Sequence, residues 1–162
     1  MKLRIMSVTE KVQFGYNYAV TVDYTDLNTI ASGNTGSFNL LPYQGTTQGG
    51  SSDAGTTLVA GTRMKLIGMS NPTGFAFSDS GNACSITVGD SGSANRYLAS
   101  TALISGGNTA YSIGTGTEFV LTTADNFIVA FTGQSGKQLN LATAGSVTFY
   151  LKADDMTQWP TP

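Results

Sequence analysis

The chain has no histidine and only one cysteine, Cys84. Without histidine, neither a Ser-His-Asp triad nor a Cys-His pair can be assembled. Zinc sites lose their commonest nitrogen ligand, and one cysteine can build neither a cysteine-based metal site nor an internal disulfide. We therefore expect a protein that is not an enzyme and has no catalytic, metal-binding or cofactor-binding residues. Cys84 is predicted to be a buried thiol on a strand.

Charged residues are also scarce, at 11% of the 162 residues, against an average of about 25%. The eight basic residues are spread thinly along a chain of net charge −2, whereas nucleic-acid binding needs basic groups that converge on one face. One close pair, Arg63 and Lys65, lies at i and i+2 and therefore on the same face of a strand. We interpret that pair as a solvated sheet edge.

Long apolar runs are absent as well: none approaches the roughly 18 residues that a membrane-spanning helix needs. The first residues, Met1-Lys2-Leu3-Arg4, lack the apolar core of a signal peptide. We expect a soluble protein made in a cytoplasm, with neither a membrane nor a nucleic acid as its partner. The length suits one domain over residues 1–162.

Apolar and polar residues alternate with a period of two, which is typical of half-buried strands. Over residues 18–24 the even-numbered side chains share an apolar face, and residues 84–88 repeat the pattern. Residues 127–131 are apolar on both faces, which predicts a strand covered on both sides by a second sheet or a partner subunit. The other candidates are 147–152 and, more weakly, 3–6, 38–41, 64–69 and 118–121.

Clusters of Gly, Asn and Asp separate these runs, and short strands with such breaks indicate an antiparallel sandwich or barrel. Residues 122–125 could form at most a single helical turn, with a threonine cap. Residues 44–55 have no large apolar anchor, so we expect a flexible loop, or an arm that becomes ordered against a neighbour. Residues 156–162 contain Trp159 and two prolines, which predict an extended tail.

Catalysis by paired carboxylates is the one chemistry that the lack of histidine and of a second cysteine leaves open. Glycosidases, for example, place two carboxylates on opposite sides of a cleft. Most of the acids lie beside Gly, Ser or Asn, where Asp usually accepts hydrogen bonds from local backbone. Asp79, Asn82 and Asp90 could offer oxygen ligands to calcium, but they belong to no recognised calcium loop, so turn structure is the preferred interpretation. The ten acids are Glu10, Asp23, Asp26, Asp53, Asp79, Asp90, Glu118, Asp125, Asp154 and Asp155.

The most distinctive segment runs from residue 75 to residue 98, as a strand, a polar turn, a second strand and a tight turn. Gly89 and Gly92 are predicted to supply the positive φ angles of that tight turn. Arg96 is predicted to hold the turn by hydrogen bonds to carbonyl groups or to Asp90.

Residues 86–98 read Ile-Thr-Val-Gly-Asp-Ser-Gly-Ser-Ala-Asn-Arg-Tyr-Leu, shortly after the Ser-Asp-Ser step at 78–80. This segment resembles a pattern that recurs in head decoration, or cement, proteins of tailed bacteriophages. The chain departs from the pattern by having Ser91 where the pattern has glycine, and by lacking an acid in the step at 145–147. Further stretches that resemble the same group, in the same order, are 24–29, 123–128 and 144–155.

The resemblance implies a structural virion protein: a β-sandwich or jelly-roll subunit, often a homotrimer, that binds the major capsid protein on the outside of the head. Such a protein would stabilise the mature lattice by binding only to it; the residues that contact the capsid stay unknown. Two alternatives remain open. One is another virion component, such as a head fibre, spike base or tail module. The other is a glycan-binding β-sandwich with Tyr97, Tyr111 or Trp159 against the sugar, where each ring could equally belong to the core or to an interface.

Overall fold

The structure is a computed structural model that describes residues 2–5, 18–29, 33–41, 58–71, 74–78, 84–103, 109–112, 118–133 and 138–155. These residues form an all-β domain, as predicted, and none of the helices among them is long and apolar enough to cross a membrane. The predicted loop at 44–55 and tail at 156–162 lie outside the described residues. The strands are β1 (Lys2–Ile5), β2 (Tyr18–Asp23), β3 (Thr35–Asn39), β4 (Thr62–Asn71), β5 (Ala76–Phe77), β6 (Cys84–Asp90), β7 (Ser93–Leu103), β8 (Thr109–Ser112), β9 (Glu118–Val120), β10 (Ile128–Gly133), β11 (Ala142–Ala144) and β12 (Ser146–Asp155), joined by helix α1 (Tyr24–Leu27) and a 3-10 helix (Leu139–Leu141).

The strands form three antiparallel sheets. A six-stranded sheet has the order β1-β2-β12-β4-β8, with β9 also paired to β4; a four-stranded sheet has the order β3-β10-β6-β7; and β5 pairs with β11. Four of the pairings are nested along the chain, because β2 pairs with β12, β3 with β10, β4 with β9, and β6 with β7. The chain therefore folds as one long hairpin whose two arms pair with each other. Successive strand pairs along this hairpin belong alternately to the six-stranded and the four-stranded sheet.

The inner faces of both larger sheets contribute to one hydrophobic core, because alternate residues of each strand are buried. Val20 and Val22 of β2 and Phe149 of β12 are fully buried from the six-stranded sheet. Phe131 of β10 enters the same core from the four-stranded sheet, and its ring packs edge-on against Phe75 at 5.9 Å between centroids. Edge-to-face ring pairs add about 0.5–1.5 kcal/mol to the burial of their area.

The two short helices lie elsewhere than the sequence pattern predicts. The expected continuation of β2 to Tyr24 is wrong, because Asp23 ends the strand and caps α1 in a reciprocal capping box with Asp26, the arrangement that satisfies free N–H groups at a helix start. The expected helical turn at 122–125 is also wrong. Asp125 exchanges two backbone hydrogen bonds with Leu58, at 2.7 and 3.0 Å, which holds it in an extended bridge.

Glycines act differently from the prediction at the β6–β7 turn. Positive φ occurs at Gly61, Gly74 and Gly145 but at neither Gly89 nor Gly92, so the predicted role of those two residues is wrong. Gly89 is required instead because a side chain at this position has no room. The register between β6 and β7 shifts on either side of Val88, and this irregularity brings the backbone at residues 93 and 94 directly against Gly89.

The strand predicted to be covered on both sides, β10, has only one fully buried face in the described chain. Val129 and Phe131 are buried in the core, whereas Ile128 and Ala130 on the opposite face are partly exposed. Cover for that second face by a partner subunit stays a prediction.

Candidate functional site

The β6–β7 turn is organised around the Asp90 carboxylate, which is only 4% exposed. Its Oδ1 accepts hydrogen bonds from the backbone N–H groups of Gly92, at 3.0 Å, and Ser93, at 2.8 Å. Its Oδ2 accepts from Arg96 Nε and, at 3.2 Å, from the Tyr97 hydroxyl. The prediction that Arg96 holds the turn through Asp90 is confirmed. We call these five residues the Asp90 cluster.

The Asp90 cluster also joins the two larger sheets. The guanidinium of Arg96, on β7, lies 3.8 Å from the centre of the Phe119 ring on β9, in a cation–π contact. Tyr97 packs its ring 5.1 Å from that of Phe127. The turn is thus tied to both the core and the opposite sheet, which indicates a structural role for its charged pair.

Tyr97 does not fit its predicted role as an exposed sugar-binding ring, because it is only 4% exposed. Burial, followed by the neighbouring Asp90 carboxylate, raises the pKa of its hydroxyl above the usual value, since both disfavour the phenolate. Trp159 lies outside the described residues, and the structure describes only the backbone of Tyr111. The glycan-binding alternative therefore loses the one candidate ring whose surroundings are described.

A second polar link fastens the same turn to the segment before β10. The Asp125 carboxylate accepts hydrogen bonds from the backbone N–H of Ser91, at 3.2 Å, and from its hydroxyl, at 2.6 Å. Next to it, Asn126 is 6% exposed and exchanges two hydrogen bonds with the backbone of Leu41. Ser91, where this chain departs from the pattern it resembles, supplies a hydroxyl that glycine would not have.

The other described carboxylates are also engaged. Burial raises the pKa of Asp23, but hydrogen bonds from the Thr25 hydroxyl and from backbone N–H groups outweigh it and leave the pKa lowered. Glu118 Oε1 lies 3.1 Å from Arg63 Nε, in an ion pair that is too poorly aligned for a hydrogen bond. Asp154 Oδ2 lies 3.3 Å from Lys152 Nζ. Glu10, Asp53 and Asp79 lie outside the described residues, as does the side chain of Asp155.

Metal-binding and thiol chemistry find little support in the described part of the chain. Its residues contain no group of three or more His, Cys, Asp or Glu side chains that could hold a metal ion. Of the calcium candidates, Asp79 and Asn82 lie outside the described residues, and Asp90 is engaged by its own turn. The prediction for Cys84 is confirmed: the thiol is fully buried on β6, and burial raises its pKa to about 12.

The outer face of β3, β10 and β6, three strands of the four-stranded sheet, is uncharged. Its side chains point away from the core, at positions that alternate with the buried ones. Small polar residues predominate, and Ile128 is the one large apolar residue among them. We call this surface the uncharged face; its residues are Thr35, Ser37, Asn39, Ser85, Thr87, Ile128, Ala130 and Thr132.

The outer face of the six-stranded sheet, in contrast, has a compact group of charges. The interpretation of Arg63 and Lys65 as a solvated edge is wrong, because this half of β4 is a central strand between β12 and β9. The two side chains do share a face, as predicted, opposite the buried Met64 and Leu66. We call this surface the charged patch; its residues are Arg63, Lys65, Glu118, Lys152 and Asp154.

Comparison of the chain with protein-family models, with curated proteins and with solved structures finds no match.

Proposed function

We propose that this chain is a structural virion protein that binds the major capsid protein on the outside of a tailed-phage head and stabilises the capsid lattice. The observation that carries the proposal is the structural role of residues in the segment that resembles phage decoration proteins. Gly89, Asp90 and Arg96 in that segment are committed to building one turn. This supports a motif selected for its fold, as a lattice-binding protein requires.

We further infer that the domain is a jelly roll. The nested pairing of β2 with β12, β3 with β10, β4 with β9 and β6 with β7 is the pairing of an eight-stranded hairpin rolled into two sheets. Jelly rolls of this kind are used in viral capsid domains. The topology supports the proposal at the level of architecture only, because one fold serves many functions.

The uncharged face is suited to contact with another protein. Interface cores contain few charged residues, because a charge removed from water must be paired. Short Ser, Thr and Ala side chains also lose little conformational freedom when they are covered. We propose self-association as a homotrimer, in which a neighbouring subunit covers Ile128 and Ala130.

The mechanism is linkage between binding and lattice stability. A molecule that binds the mature lattice and not its dissociated subunits stabilises the lattice by about 2.7 kcal/mol per site when its free concentration is a hundred times its Kd. A trimer would contact the lattice at several points, and the linked contacts would dissociate more slowly than single ones.

The test is to locate and count the protein in particles of the virus that encodes it. We expect hundreds of copies on the outside of the head, seen as repeated density over the capsid lattice, and heads that disassemble at lower temperature when the protein is removed. A handful of copies at a vertex or on the tail would favour a fibre, spike base or tail module. Absence of the protein from the particle would refute all of these.

A further inference from the structure

The charged patch contains two lysines directly opposite each other. Lys65 on β4 is in register with Lys152 on β12, and both side chains lie on the outward face of the sheet. Side chains in register on neighbouring strands have Cβ atoms only about 4.5–5.5 Å apart, so like charges at such positions repel. The patch therefore departs from the usual pairing of opposite charges across strands.

Lys65 is the cation in this patch to which the described residues supply no counter-ion. Lys152 is paired with Asp154 at 3.3 Å. The other cross-strand neighbour of Lys65 is Glu118, but the Glu118 carboxylate lies 3.1 Å from Arg63 instead. Among the residues that the structure describes, no carboxylate lies within ion-pairing distance of the Lys65 amine.

The patch also differs in charge from the rest of the protein. It contains three basic and two acidic residues, whereas the chain as a whole contains eight basic and ten acidic ones. Val120, 48% exposed on β9, is in register with Arg63 at the rim of the patch and adds an apolar contact. A local excess of positive charge on an acidic protein favours an acidic partner at this position.

We propose that Lys65 binds a carboxylate of the capsid protein, so that the charged patch is the surface that docks onto the head. The partner is a protein carboxylate and not a phosphate chain, because Glu118 and Asp154 within the patch would repel a polyanion, which needs several converging cations. The inference rests on the proposed function and names the surface and the chemistry that it uses.

The first experiment measures the affinity of the full-length protein for heads from which it has been removed, at 50 and 300 mM NaCl. We expect Lys65→Glu to bind at least about tenfold more weakly than the natural protein, with Lys65→Gln in between, and the loss to shrink at high salt because exposed charges are screened. Lys137→Glu, which changes the net charge equally in a segment that follows β10, should bind normally. Circular dichroism should show that all three variants are folded.

The second experiment identifies the partner by treating decorated heads with a carbodiimide, which joins an amine to a touching carboxylate as an amide with loss of water. We expect a cross-link between Lys65 and an Asp or Glu of the capsid protein. A Lys65 cross-link to a second copy of this chain, or unchanged head binding by Lys65→Glu, would overturn the inference and leave the proposed function standing. Failure of the natural protein to bind heads would refute the proposed function itself.

Discussion

Gly89 lies directly against the backbone carbonyl of Ser93: a Cβ added at residue 89 would come within 1.9 Å of that oxygen. The Cβ position is fixed by the backbone, so no side-chain rotation relieves a clash between a Cβ and a neighbouring backbone atom. The β6–β7 turn can therefore form only with glycine at residue 89. The close approach is a consequence of the irregular register of β7 and is independent of φ.

Substitution of Gly89→Ala should therefore lower the free energy of unfolding by about 3 kcal/mol or more, because the overpacked strands must move apart. Gly92→Ala is the matched control. Its Cβ would meet two side-chain atoms, Arg96 Nη2 at 3.2 Å and Asp90 Oδ1 at 3.4 Å. A shift of a few tenths of an ångström relieves both contacts, so we expect a change below about 1 kcal/mol. Urea unfolding measures both, and equal effects of the two substitutions would contradict the steric explanation.

Removal of the Asp90 carboxylate should be far more costly than removal of a surface acid. Asp90→Ala leaves the Arg96 guanidinium and the buried Tyr97 hydroxyl without their acceptor, and we expect a loss of about 3 kcal/mol. Asp154→Ala breaks a partly exposed ion pair with Lys152, which should cost less than about 1 kcal/mol. Thermal unfolding of both variants distinguishes the two cases; similar losses would show that the Asp90 cluster is not a stabilising element.

Loss of the Ser91 hydroxyl should weaken the link between the β6–β7 turn and Asp125. Ser91→Ala removes one hydrogen bond, of 2.6 Å, to a carboxylate, and we expect a loss of about 1–2 kcal/mol in unfolding free energy. Ser85→Ala is the control, since the Ser85 hydroxyl makes only a marginal contact, at 3.5 Å. If Ser91→Ala is as stable as the control, the hydroxyl of Ser91 plays no part in holding the turn.

Cys84 should make stability fall at high pH. Burial raises its folded-state pKa from 9.0 to about 12, so the folded protein keeps the thiol protonated where the unfolded chain would ionise it. The stabilisation is complete below pH 9 and is lost as the pH rises towards 12, at about 1.4 kcal/mol per pH unit.

The measurement is urea unfolding of the natural protein and of Cys84→Ala at pH 8 and pH 11. The variant should lose less stability between these two values, although its baseline is lower because of the small cavity. A residual slope is expected from Tyr97, whose pKa is also raised by burial. Identical slopes for the two proteins would show that the thiol is not buried as described.

The strands could be predicted from the sequence wherever alternation was regular. Cys84, Ile86 and Val88 are all buried on one face of β6, as their spacing predicts, because a two-residue period is a local property of extended backbone. The hydrogen-bonded ion pair between Asp90 and Arg96 was also predictable. The two residues are six positions apart on either side of a tight turn, which brings their side chains together.

The remaining links of the turn could not be predicted, because their partners are distant in the chain. Asn126 meets Leu41 across 85 residues, and Asp125 meets Ser91 across 34. No local spacing signals such contacts. They depend on which strands become neighbours and on their register.

The amino-acid sequence by itself determined that this is an all-β protein with a buried thiol and little charge, because alternation and composition act within a few residues. Only the tertiary structure decided that Gly89 is needed for space, that Arg63 and Lys65 lie on a central strand, and that Lys65 has no counter-ion among the described residues. The first of these properties depends on the irregular register between the adjacent strands β6 and β7, and the other two depend on strands far away in the chain. Their positions are set when the two sheets pack around one core.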